Sequence, residues 1–133
     1  MKQIENRADV NKLVSEFYRI VRKDDLLGPI FNHHLTDEQW PPHIEKLTDF
    51  WVTSLFGEAC FKGNPSQAHV KVDKNLNYGM HQDHFNRWLK LWAATIDSLF
   101  EGALANRAKD ASQRMAMGQF AHVYKKRPED CKH

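Results

Sequence analysis

Between Phe85 and Phe100 the apolar residues Phe85, Trp88, Leu89, Trp92, Ile96, Leu99 and Phe100 fall at offsets of 0, 3, 4, 7, 11, 14 and 15. That is the period of an α-helix with one buried face, and a strand offers no way to gather such a set on one side. Gly102 ends this helix. A second stripe of the same kind runs through Val10, Leu13, Val14, Phe17, Ile20 and Val21, with Asp9 as the expected N-cap. Arg22 and Lys23 then place positive charge at the helix C-terminus, and Asp24-Asp25 with Gly28-Pro29 break the helix.

The remaining signals are also helical. Thr36 with Gln39 three residues on is a capping-box pattern, and Pro41-Pro42 either closes that short turn or opens the next helix. From His43 the residues Ile44, Leu47, Phe50, Trp51 and Leu55 lie broadly on one side, up to a stop at Gly57. Asn64, Pro65 and Gln67 predict the start of a short helix carrying Ala68, His69 and Val72, followed by a loop over 74–79. A last helix is expected from about Ala103 to Tyr124, apolar at Leu104, Ala108, Ala111, Met115, Phe120, Ala121 and Tyr124, with Arg127-Pro128 starting a polar tail. No segment alternates with period two for long enough to make a strand, and there is no internal repeat or linker. The predicted fold is all-α.

Charge and cysteine content narrow the function classes. The 133 residues carry 19 Lys+Arg against 17 Asp+Glu, an excess too small for a broad phosphate-binding face, so nucleic acid is not expected as a partner. Cys60 and Cys131 form no CxxC site and no disulfide framework. No apolar run exceeds four residues, so no membrane span is expected, and the first residues lack the apolar stretch of a signal peptide. The expectation is a reduced, soluble, cytoplasmic domain. Fifteen aromatic residues and eight histidines suit a pocket for a flat apolar ligand or a metal, and they suit an aromatic-rich core equally well.

Four polar side chains stand out against the stripes. Tyr18 sits at the edge of the first buried face, His43 shares the face of Leu47 and Phe50, and Trp88 lies inside the long stripe. Each needs a hydrogen-bond partner if it points inward, because an unpaired buried donor costs roughly 1–3 kcal/mol. His69, on its own short capped helix, can present an imidazole into a cleft between longer helices. Without further information each of the four also reads as an ordinary core-edge or surface residue. The pair His81 and His84, at i and i+3, is a weak metal signal, and His33-His34 reads as a solvated loop. Cys60 has no adjacent base in the sequence.

Taken together these segments resemble the group III truncated haemoglobins. Glu16-Phe17-Tyr18-Arg19-Ile20-Val21-Arg22-Lys23-Asp24 with Leu27-Gly28-Pro29-Ile30-Phe31 is similar to the family's first block. Trp40, His43 and Phe50-Trp51 resemble its distal helix, Gln67-Ala68-His69 its proximal segment, and the run from His84 to Trp92 the helix after it. The resemblance extends from about Val10 to Tyr124. The chain has no Gly-Gly pair, which favours group III over the other truncated groups. It departs from the pattern in the Pro41-Pro42 pair before His43 and in a long connection from His69 to Trp88.

The resemblance implies a single truncated globin domain over residues 1–133, a two-over-two helical sandwich around haem b. It implies His69 as the proximal iron ligand, a wall of Phe31, Leu47, Phe50, Trp51 and Trp92 around the porphyrin, and Tyr18, His43 and Trp88 as distal groups. Phe31, Phe50, Trp51 and Trp92 would be buried under any reading. Donors such as Tyr18 and Trp88 stabilise the partial negative charge a diatomic ligand acquires, by roughly 1.5–3 kcal/mol each, which favours slow release. Lys71, Lys74 and Arg87 lie near the proximal segment and suit haem propionates or simple solvation. The implied function is reversible binding of O2, NO and CO in ligand or redox chemistry, such as NO detoxification, or in sensing, rather than bulk oxygen transport. A monomer or weak dimer is expected, with an external reductase if the chain turns over. The rivals are a true haem peroxidase or NO dioxygenase, and an all-α protein without haem that serves as an interaction module or holds a metal at His81 and His84.

Overall fold

The computed structural model describes residues 1–57, 69, 73–74, 80 and 82–129. Its helices are α1 (Arg7–Val21), α2 (Gly28–His34), α3 (Trp40–Phe56), α4 (Gln82–Leu99) and α5 (Ala103–Lys125), with a 3₁₀ turn at Asp37–Gln39 and helical backbone at His69, Asp73 and Lys74. α1 packs against α3, α4 packs against α5, and α1 also packs on α4, so two helix pairs are joined face to face. The expected capping residues at 64–67 and the loop over 75–79 lie outside the described residues; Lys74, expected in that loop, is helical.

The stripe on α1 is the centre of the core. Val10, Leu13, Val14, Phe17 and Val21 are fully buried. Phe17 meets Tyr18, Trp88 and Trp92 edge-on, with ring centroids 4.7, 5.0 and 4.9 Å away, so the quadrupoles of four rings are satisfied around one residue. The N-cap is Asn6 rather than Asp9. The Asn6 Oδ1 accepts from the Asp9 N–H at 3.0 Å, while the Asp9 carboxylate accepts from the Glu5 N–H and from Lys2 Nζ. Asp9 thus stands in the first turn, where a negative charge meets the positive end of the helix dipole.

Several local expectations change. Gly28-Pro29 opens α2 rather than merely ending α1, and His33 and His34 belong to that helix rather than to a loop. The approach is tight: a Cβ at residue 28 would lie 2.8 Å from the carbonyl oxygen of Arg22. The Thr36/Gln39 capping box is present, with the Gln39 side chain accepting from the Thr36 N–H at 2.8 Å, and Pro41-Pro42 falls in the first turn of α3. Two-residue strands β1 (Lys2–Gln3) and β2 (Phe100–Glu101) pair in parallel, which the all-helical expectation did not include. Two residues are too few to write a period of two. Between β2 and α5 the chain turns at Gly102, whose φ of 99° is a conformation side chains rarely adopt.

α5 buries Ala105, Ala108, Ala111, Ser112, Ala116 and Val123, while Ala121 is exposed. Its inner face is therefore made mostly of small residues, which let it lie close to α4 and α3. Arg127, expected in a polar tail, is buried.

Candidate functional site

A cavity of about 450 Å³ opens between these elements. α1 contributes Tyr18, α2 contributes Phe31 and His34, and α3 contributes His43, Lys46, Leu47, Phe50 and Trp51. His69, Trp88 and His84 of α4, and Ser112 and Gln119 of α5 add further polar groups to the lining. A volume of this size with a mostly apolar wall and a few convergent polar groups is the usual form of a cofactor pocket. Phe31, Leu47, Phe50 and Trp88 are only half-buried because they face this space rather than neighbouring side chains.

Eight of the nine residues singled out from the sequence line this one cavity: Tyr18, Phe31, His43, Leu47, Phe50, Trp51, His69 and Trp88. Trp92 does not. It is fully buried one layer behind the wall, stacked on Trp51 (4.7 Å, 26°) and Trp88 (5.6 Å, 24°), and its indole N–H donates to the Ala108 carbonyl at 3.3 Å. Its place in the stripe is the same as that of Trp88, one turn earlier, and the 100° advance per residue decides which of the two meets the cavity.

His69 is mostly buried, edge-on to Phe85 with ring centroids 5.8 Å apart. Its Nδ1 lies 3.2 Å from Oε1 of Gln119. An amide oxygen can only accept, so Nδ1 carries the hydrogen and Nε2 keeps the lone pair a metal requires. Burial lowers the pKa of the ring, and the hydrogen bond to Gln119 works against that without reversing it. The imidazole is therefore neutral at neutral pH, the form that ligates. A side-chain amide fixes the tautomer here, a role that a backbone carbonyl could equally serve.

Tyr18 and His43 stand together, ring centroids 6.2 Å apart, with Trp40 against both at 5.7 and 5.5 Å. Trp40 is buried beneath the Arg22 guanidinium, which lies 4.8 Å above its ring. Burial pushes the Tyr18 phenol up to about 12, and its hydrogen bond with the Trp88 side chain pulls the other way. Tyr18 is accordingly a protonated hydroxyl. Since an indole can only donate, Trp88 leaves the Tyr18 hydrogen available to a third group in the cavity. Burial, and then the nearby Lys46 charge, lower the pKa of His43, so it too is held neutral.

Sequence reasoning missed Gln119, His34 and Lys46. Gln119 carries no signal, being one polar residue in a helix; His34 and Lys46 follow only from the fold that brings both to the cavity. Arg87, considered for the propionates, donates to Asp24 at 2.9 Å across the α1 terminus. Lys71, His81, Cys60 and Cys131 lie outside the described residues, while His84 lines the cavity. Among the described residues no three His, Cys, Asp or Glu side chains converge as a metal cluster. A mostly apolar cavity in which the His69 imidazole keeps Nε2 free suits a metal that brings its remaining ligands with it in a flat macrocycle, and the residues present fit haem. No helix among the described residues is long and apolar enough to cross a membrane.

No family profile matches the chain. The group 3 truncated hemoglobin ctb of Campylobacter jejuni is 33% identical over 113 residues, covering 84% of this chain and 85% of that protein. The crystal structure of a group III truncated hemoglobin from Campylobacter jejuni superposes with a TM-score of 0.82 at 31% identity, covering 97% of this chain and all of that one.

Proposed function

The chain belongs to the group 3 truncated haemoglobins, whose globin fold implies haem and diatomic ligands, and on that premise we propose that it is a haem b protein holding O2, NO or CO for redox chemistry or sensing rather than bulk oxygen transport. The observation that carries this reading is the pairing of His69 with Gln119 in the same cavity as Tyr18, Trp88 and His43. Haem supplies an iron centre that binds diatomic gases and exchanges single electrons. What the chain supplies is position, dryness and hydrogen bonds.

His69 would hold the iron through Nε2, with Gln119 fixing the ring's rotation. Phe31, Leu47, Phe50 and Trp51 form an apolar wall for the porphyrin, backed by Trp92. That wall excludes water, which strengthens every hydrogen bond made inside it. Tyr18 would offer its hydroxyl hydrogen to a gas ligand, with the Trp88 indole, which can only donate, beside it in the cavity. His43, neutral and next to Tyr18, accepts or passes a proton. This donor set favours slow oxygen release, which suits chemistry or sensing. Turnover would need electrons supplied to the globin domain of residues 1–133, so a reductase is the partner class expected. A cytoplasmic location and a monomer or weak dimer accompany this proposal.

The test is an absorption spectrum after haem addition, reduced and then exposed to CO, for the wild type and His69→Ala. A sharp Soret shift in the wild type and its loss in the variant support histidine-ligated haem. No specific spectrum in the wild type overturns the reading. An enzymatic role, as peroxidase or NO dioxygenase, is supported only if turnover with a reductant exceeds free haem and falls in His43→Ala.

A further inference from the structure

The most deeply buried ion pair in the described part of the molecule lies outside the cavity wall. Arg127 reaches back 54 positions to Asp73, and both side chains are 2% exposed. The guanidinium meets the carboxylate as a fork, Nε to Oδ2 and Nη2 to Oδ1, each at 2.9 Å. The same two groups hold one backbone unit between them: the Met80 N–H donates to Asp73 Oδ1 at 3.1 Å, and the Met80 carbonyl accepts from Arg127 Nη2. Tyr124 lies under the guanidinium, 5.5 Å from it.

Such a pair is a poor device for stability alone. Removing two charges from water costs several kcal/mol per ion, and apolar residues of similar volume often do as well. What it does supply is a fixed distance between named points. Asp73 lies four positions beyond His69 in the sequence, and Met80 lines the cavity. Arg127 follows α5 closely, two turns beyond Gln119, the residue that holds the His69 ring. α5 and the residue just beyond it therefore hold this side twice, once at the imidazole and once at Asp73 and Met80.

We propose that Asp73 and Arg127 form a proximal latch, a pair of positioning residues that ties Asp73 and Met80 to the end of α5 and so sets the strength with which His69, four positions before Asp73, would hold iron. The inference rests on the reading of His69 as a haem ligand. Without the pair, the contact of His69 with Gln119 would be left to position the imidazole against α5.

The test uses the whole protein with haem bound. Arg127→Leu alone strands a buried carboxylate and can prevent folding, so the decisive variant is Asp73→Leu with Arg127→Leu, beside Arg127→Lys, which keeps the charge and loses the fork. Three quantities are compared: the iron–histidine stretching frequency of the reduced, ligand-free protein, the rate of haem transfer to excess apomyoglobin, and the urea midpoint of the haem-free chain. The latch predicts a lower, broader stretch and haem loss faster by about tenfold or more in the double variant, with an unchanged haem-free midpoint and an intermediate Arg127→Lys. A double variant whose stretch and haem loss match the wild type overturns the latch while leaving His69 ligation standing. A midpoint that falls while the stretch stays fixed assigns the pair to stability only and overturns it too. A wild type that takes up no haem overturns the underlying reading and the latch together.

Discussion

The imidazole of His69 and the carboxamide of Gln119 meet at 3.2 Å across fifty positions of sequence. Because the amide oxygen accepts, the contact selects one tautomer and one ring rotation out of several, before any metal is present. Gln119→Leu removes that selection without adding charge or much volume. Haem loss should quicken by about 10- to 100-fold, the usual cost of deleting an outer partner of a metal-binding histidine. Gln119→Glu, a stronger acceptor, should move the iron–histidine stretch upward, opposite to Gln119→Leu. Identical stretches in all three proteins would show that Gln119 does not act on the ligand.

Tyr18 is the donor best placed to hold a gas ligand, since its buried hydroxyl lines the cavity and its indole neighbour Trp88 can only donate, not take up its hydrogen. Tyr18→Phe keeps the ring against Phe17 and Phe31 and deletes only the hydroxyl. Oxygen dissociation measured by stopped flow should accelerate by about 10- to 150-fold, the equivalent of one hydrogen bond to a charged group. Carbon monoxide, which gains little charge, should respond weakly. An unchanged oxygen off-rate in Tyr18→Phe would move the donor role to His43 or Trp88.

How far the sequence told this in advance depends on which physical signal each residue writes. The core face of α1 and the long α4 stripe repeat at 3.6 residues, so Phe17, Trp88 and Trp92 were legible as inward-facing. The family resemblance then marked Tyr18, His43 and His69, and the fold brings all three to one cavity. Which tryptophan faces that cavity was not legible, because Trp88 and Trp92 share a stripe and differ only in helix rotation. Gln119 and the Asp73–Arg127 pair were invisible for another reason. Long-range hydrogen bonds over 50 and 54 positions leave no local pattern, and a lone glutamine or a C-terminal arginine reads as solvated until the helices are in place. The Asn6 cap was missed because Asp9, a third-position acid, carries the same residue preference as the cap itself.

Two glycines give opposite expectations for the same substitution. At Gly28 a methyl group would lie 2.8 Å from the Arg22 carbonyl oxygen, and backbone cannot move aside as a side chain can. Gly28→Ala should destabilise by about 1–3 kcal/mol and displace α2, with Phe31 and His34 on it. At Gly118, inside α5, nothing lies within 4 Å of the same methyl, and Gly118→Ala should stabilise by about 1 kcal/mol through helix propensity. Urea denaturation of both variants checks the pair; equal effects at the two sites would refute the close approach at Gly28.

Burial of Tyr18 makes the folded chain sensitive to alkali in a defined window. Its phenol is held at about 12 in the fold against an ordinary value near 10. Between those values the unfolded chain has lost a proton that the folded chain keeps, so the folded state binds more protons and stability falls as pH rises. The contribution is whole below pH 10 and is lost as pH climbs through about 12, with a total on the order of 2–3 kcal/mol for this one group. Urea midpoints of the haem-free protein between pH 8 and pH 11.5 should therefore decline more steeply in the wild type than in Tyr18→Phe. Absorbance titration near 295 nm should show that the Tyr18 increment, obtained by subtracting the variant, is absent below about pH 11. Parallel midpoints in the two proteins would mean that the Tyr18 hydroxyl reaches water, and a hydroxyl in that position would no longer be the dry donor on which slow ligand release depends.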